Sequence, residues 1–193
     1  MQIRNWKINS FNEKSHHLVR DALTKTDKAN NLPVICCIGS DLVVGDSLGP
    51  LVGTMLKVKN AGAFVYGTLD FPLTAKEVPY LNKYLKHTHP NQEILAIDAA
   101  VGNLEDIGII KISNEGIKPG LGVRKKLGVV GTKSIIGIVA EKSNKNHKLF
   151  SSTRLNLIYK MAERISDGII EYLSLLETQN DFTFNFVFDQ PTA

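Results

Sequence analysis

The chain has 193 residues, 43% of them apolar and 22% charged, and a formal charge of +4. These values suit one soluble globular domain, long enough to bury a core without disulfide or metal staples. The basic excess is small and scattered, densest at Arg124-Lys125-Lys126, so the charge pattern argues against a nucleic-acid partner.

The opening stretch, MQIRNWKINSFNEK, is polar and lacks the apolar segment of a secretory signal. No apolar run approaches the ~20 residues that span a bilayer. A cytoplasmic protein with no membrane partner is therefore expected. Residues 9–30 read as a helix, with Leu18, Ala22 and Leu23 on one face, ended by Asn31-Leu32-Pro33. Val34 to Ile38 reads as a buried strand. It holds both cysteines, Cys36 and Cys37, which as strand neighbours point to opposite faces. They read as small buried hydrophobes in a reducing compartment.

The loop GSDLVVGDSLGP follows, Gly39 to Pro50, and then a helix beginning near Gly49-Pro50. A strand over Ala63 to Tyr66 and a helix over Thr74 to Lys86, with Thr74 as N-cap, come next. Further strands are expected at Ile94 to Ile97, ending in Asp98, at Ile107 to Ile112 and at Ile135 to Ala140. Between the last two lies the glycine-rich segment GIKPGLGVRKKLGVVGTK. Ser152 to Leu176 reads as a long amphipathic helix. The tail, residues 178–193, alternates Phe182, Phe184, Phe186 and Phe188. It reads as an edge strand or as a peripheral segment that packs on a neighbour, which leaves a homo-oligomer open.

Apolar strands alternating with helices predict a single α/β domain over residues 1–193: three layers, with a mainly parallel, mixed sheet flanked by helices. Ligand sites in such sheets lie outside the carboxyl ends of the strands. That rule selects the loops after the first and third strands, which carry Asp46 and Asp98.

The loop is not a phosphate cradle. G-x-x-x-x-G-K-[ST] and G-x-G-x-x-G are both missing from it, and Asp46 occupies the lysine position. There is no G-x-S-x-G elbow. The histidines are His16, His17, His87, His89 and His147, none at a core strand end; His87 and His89 read as a solvated helix terminus. Metal-ligand spacings of the H-E-x-x-H or paired C-x-x-C type are missing, so no metal or other cofactor is expected, although two acids leave a divalent metal open. Carboxylate chemistry remains. Asp46 is either a cap for the following helix or one member of an acid–base pair. Asp98 is either a strand-end acid or the other member. If the strands order 2-1-3, the two carboxyls face each other, and unequal environments would make one a base and the other an acid.

The segments GSDLVVGDSLGP, LAIDAAVGNLEDIGIIKISNEGIKPGLGV and SIIGIVA resemble, in order and spacing, those of the germination protease of spore-forming bacteria. The resemblance spans about Val34 to Ala140. In length the chain is closer to the sporulation protein YyaC family, regarded as related to that protease. The first loop is also similar to that of the hydrogenase maturation endopeptidases. The resemblance implies a hydrogenase-maturation-protease-like, phosphorylase/hydrolase-like fold. It implies an atypical aspartic endopeptidase with Asp46 and Asp98 catalytic, acting on a protein or peptide in the cytoplasm of the mother cell, forespore or spore core. Gly39 and Asp41 of the first loop, and Gly120 and Gly122 of the later one, are the candidate substrate-binding positions. The chain departs from the relatives at Ser40, where they carry asparagine, and at Val44-Gly45.

Overall fold

The computed structural model describes residues 5–26, 31–119, 128–142 and 149–188. Among these residues six strands form one sheet: β1 (Asn5–Asn9), β2 (Val34–Cys37), β3 (Val65–Tyr66), β4 (Ile94–Gly102), β5 (Ile109–Ser113) and β6 (Lys133–Glu141). Their spatial order is β1-β5-β6-β4-β2-β3. The β6-β4-β2-β3 part is parallel, while β5 runs antiparallel to β6 and β1 antiparallel to β5. The expected mainly parallel, mixed sheet is thus present, and β2 lies between β3 and β4 as the 2-1-3 order requires.

Among the described residues four helices cover the sheet: α1 (Ser15–Thr26), α2 (Leu48–Val58), α3 (Val78–Thr88) and α4 (Leu155–Phe188). Two apolar clusters show which face each one takes. Ile35 and Cys37 of β2 pack with Leu23, Leu56, Ile165 and Ile169 from α1, α2 and α4. Val34 and Cys36 pack instead with Val78, Leu81 and Leu85 of α3. Alternation along one strand therefore feeds two cores, and every residue of β2 is buried. This makes the three layers, and the two cysteines do point apart.

Several boundaries differ from expectation for local reasons. β1 carries one buried side chain, Ile8, which pairs across from Ile110. Trp6 packs on the same core from the same face, but an alternation of five residues inside a polar stretch is a weak signal. Residues 10–14 are a turn, not helix: the Asn9 and Asn12 side chains accept from the N–H groups of Phe11 and Lys14, both at 2.9 Å. Hence α1 begins at Ser15, and residues 27–30 of the expected helix lie outside those described. α3 starts at Val78, with a proline in its first turn. Thr74 closes the turn before it, its N–H donating to Glu77 Oε2 at 3.0 Å. The tail is not an edge strand: α4 runs on to Phe188. Extending an established helix adds one hydrogen bond per residue without a new nucleation cost, and this outweighs the strand-like alternation of phenylalanines. Residues 189–193 lie outside those described.

The segment after β2 makes the sharpest reversal. Gly39 has φ +146° and Gly49 at the start of α2 sits against the Ile38 carbonyl, so a Cβ there would come within 2.1 Å of that oxygen. Close backbone contact lets α2 start directly over the end of β2.

Candidate active site at the carboxyl ends of β2 and β4

β2 stops before β4 does. Ile38 donates the last rung of their ladder to the Ile97 carbonyl at 2.7 Å. Gly39 then turns its N–H to Leu73 at 2.9 Å, and Ser40 turns its N–H to the Asp46 carbonyl at 3.1 Å. The loop returns through a single 3₁₀ turn, Val44–Ser47, before α2 begins. Gly45 within that turn lies against Phe150 from the turn preceding α4. The Asp46 loop is thus held both to β2 and to the segment that follows β6.

Asp46 is not the cap of α2. Ser47 takes the N-cap position, and no side chain caps there. The carboxyl is partly buried, and burial raises its pKa above the ordinary 3.8, with the Ser40 N–H acting the other way. Asp98 is not at the end of its strand but inside β4, opposite Ile136 of β6. Its neighbour Ile97 faces the α1/α2/α4 core, so by alternation Asp98 faces the opposite side of the sheet. Burial pushes the Asp98 carboxyl from 3.8 up to about 8, and the charge of Asp46 adds to the rise. The Ala99 N–H donates to Asp98 Oδ1 at 2.9 Å and partly offsets it. The two carboxyls therefore feel each other, and at neutral pH Asp98 holds its proton.

The other expected positions separate. Gly39 shapes the loop through its φ of +146° and its contact with the Asp46 carbonyl, where a Cβ would lie 2.1 Å away. Asp41 is exposed, and among the described residues its carboxylate has no ion pair or hydrogen bond. Gly120 and Gly122 lie outside the described residues. His89 is not a solvated terminus: it is 6% exposed, with Nε2 2.8 Å from the Tyr66 hydroxyl and Nδ1 2.6 Å from Gln92 Oε1. It ties the end of α3 to the edge strand β3.

A second polar cluster escaped the sequence reading. His16 and His17 of α1 meet Glu171 of α4, at 3.7 Å from His16 Nε2 and 2.9 Å from His17 Nδ1. Their ligand atoms lie within 4.8 Å of one another and could in principle chelate a divalent metal. Arg20 already places a cation there, 3.2 Å from Glu171 Oε2. The cluster as it stands clamps α1 to α4. The adjacent histidines were visible, but their partner is 154 residues away, beyond any local spacing. Glu171→Gln is expected to lower stability by about 1 kcal/mol, because the pairs are partly exposed. The check is a thermal melt, with a fall of roughly 2–4 °C.

Fold and site together define an α/β protein with two carboxyls of raised pKa near the switch point of its sheet, the place where such folds bind ligands. No described helix is long and apolar enough to cross a membrane. The chain belongs to the family described as "Protein of unknown function (DUF1256)", whose model matches residues 7–168. It is also 39% identical over 137 residues to "Uncharacterized protein YyaC" of Bacillus subtilis (strain 168), covering 70% of this chain and 67% of that one. The family match includes both Asp46 and Asp98.

Proposed function

We propose that the protein is a peptidase of the germination-protease type, with Asp46 and Asp98 as its acid–base pair and a protein or peptide as substrate. The observation that carries this reading is the unequal pair: Asp98 raised to about 8 by burial and by the charge of Asp46, beside a loop carboxyl that is less buried. In this reading Asp46, as the base, takes a proton from water, and the hydroxyl so formed attacks the scissile carbonyl carbon. Asp98, as the acid, gives its proton to the leaving nitrogen as the C–N bond breaks. The pair ends with the proton on Asp46 and the charge on Asp98, and transfer between them or through water restores the start. The motif resemblance to the germination protease supports the assignment. A site of action in the cytoplasm of a sporulating cell is part of the same proposal.

The test is hydrolysis of fluorescein-labelled casein, an unfolded protein. Asp46→Asn and Asp98→Asn should each lower the rate by a factor of about 10³ or more while the far-ultraviolet circular dichroism is unchanged. In the wild type the rate should fall as pH rises through about 8, where Asp98 loses its proton. Full activity in either variant would overturn the assignment. Saturable binding of casein without turnover by the wild type would identify a non-catalytic peptide-binding protein on this scaffold.

A further inference from the structure

The sheet contains an open edge beside the carboxyl pair. β4 continues to Gly102, five residues beyond its last partner on β2, Ile97. In β4 the odd-numbered residues direct their backbone groups toward β2: Glu93 and Ile97 accept from Val34 and Ile38 at 2.8 and 2.7 Å. The even-numbered ones face β6: Ile94 accepts from Thr132 at 2.9 Å and Gly102 from Lys142 at 2.7 Å. The register irregularity between Ala100 and Val101 is taken up in β6, where Val139 is skipped, so the β4 alternation persists. Ala99 and Val101 thus face the side that β2 has left. The Ala99 N–H is met by its neighbour's carboxylate, Asp98 Oδ1, at 2.9 Å. By this alternation the Ala99 carbonyl and the Val101 N–H serve no ladder bond to β6 or β2; Ala99 is 8% exposed and Val101 partly exposed.

Unmet backbone donors and acceptors on a strand are costly when covered and are a template for pairing. A carbonyl on Ala99 and an N–H on Val101 present alternating partial charges at strand spacing. Their complement is the N–H and carbonyl of another extended main chain. We infer that the substrate polypeptide binds as an added strand along β4 at Ala99–Val101, which lays its main chain beside Asp98. The inference rests on the peptidase reading for what happens next, but not for the binding itself. It names the substrate class: an unfolded or extended segment recognised through its backbone, with little demand on sequence. A folded domain, whose inner strands are paired and whose edges are kept short, covered or charged, would fit poorly.

Val101→Pro tests this. Proline removes the Val101 N–H, which serves no ladder bond, and proline is tolerated at strand edges. In an Asp46→Asn background, which binds without cleaving, fluorescein-labelled casein should bind saturably, and Val101→Pro should weaken that binding at least tenfold. With Asp46 intact, Val101→Pro should raise KM by a similar factor. Casein that does not bind saturably, or that binds Val101→Pro equally well, would overturn the inference. Should the proline variant not fold, hydrogen exchange on the Asp46→Asn protein decides. The Val101 amide should exchange at least tenfold more slowly with saturating casein; an unchanged rate would overturn the proposal. Binding without turnover by the wild type would remove the peptidase reading and leave the edge standing. Turnover unaffected by Val101→Pro would do the reverse.

Discussion

Asp98→Asn is expected to make the protein more stable than the wild type at pH 8.5, by about 2 kcal/mol or more, while removing its activity. The sign follows from the direction of the shift. The folded carboxyl is raised from 3.8 to about 8, whereas in the unfolded chain it ionises near its ordinary value. Between those limits the folded protein holds a proton that the unfolded chain has released. Stability from this group is therefore fully present at low pH and falls as pH rises through the window, by at most about 1.4 kcal/mol per unit. Relaxation and water entry reduce the sum to a few kcal/mol. Asparagine keeps the shape and the oxygen that accepts the Ala99 N–H, but has no proton to lose. The measurement is a set of thermal melts from pH 4 to 9. The two proteins should converge near pH 4 and separate by roughly 4–8 °C at pH 8.5, with the variant higher. Equal curves, or a less stable variant at pH 8.5, would show that the burial of Asp98 does not penalise its charge. Asp46→Asn should have a smaller effect on the Asp98 titration, since burial is the larger cause and Asp46 the second.

Gly39→Ala is expected to cost about 3 kcal/mol or more and to disable the site together with the fold around it. The added methyl would lie 2.1 Å from the Asp46 carbonyl oxygen and 3.0 Å from Pro50 Cδ, at a φ of +146° that disfavours any side chain. The closer atom is backbone, so no rotamer change relieves the contact. The loop must move, and Asp46 moves with it. A thermal melt should show a fall of roughly 6–12 °C. Casein hydrolysis should remain lost at temperatures where circular dichroism shows the variant folded. A variant with normal stability and rate would mean that the loop does not depend on this contact.

Much of this arrangement was legible along the chain. The run VICC is apolar throughout because β2 is covered on both faces, and a segment of that kind needs no tertiary information to be read as an inner strand. The glycine loop after it, and the order of Asp46 and Asp98 along an α/β pattern, pointed to the carboxyl ends of β2 and β4, where both residues lie. Other features were hidden. β1 has two inward residues, Trp6 and Ile8, in a five-residue run that the surrounding polar stretch conceals. The phenylalanine alternation at the end of the chain pointed to a strand, yet the backbone there extends α4. His89 looked like a solvated histidine because Tyr66, which meets its Nε2, is 23 residues away, although Gln92, which meets its Nδ1, is only three residues on.

What the sequence by itself determined is the set of elements whose signal is local: buried β2, the amphipathic cores of α1 and α4, the turn after β2 and the two aspartates in their loop and strand. Each follows from periodicity or from residues that only certain backbones accept. The tertiary structure alone decided the properties that depend on distant neighbours. It ended β2 early and let β4 run on, so that Asp98 sits within a strand and Ala99 and Val101 face the side that β2 has left. It brought Glu171 to His16 and His17. It also set the two aspartates apart in character, because a carboxyl's pKa depends on how much water and which charges surround it. For Asp98 those surroundings include the charge of Asp46, which the fold brings up from a separate loop, as well as the N–H of the next residue, Ala99.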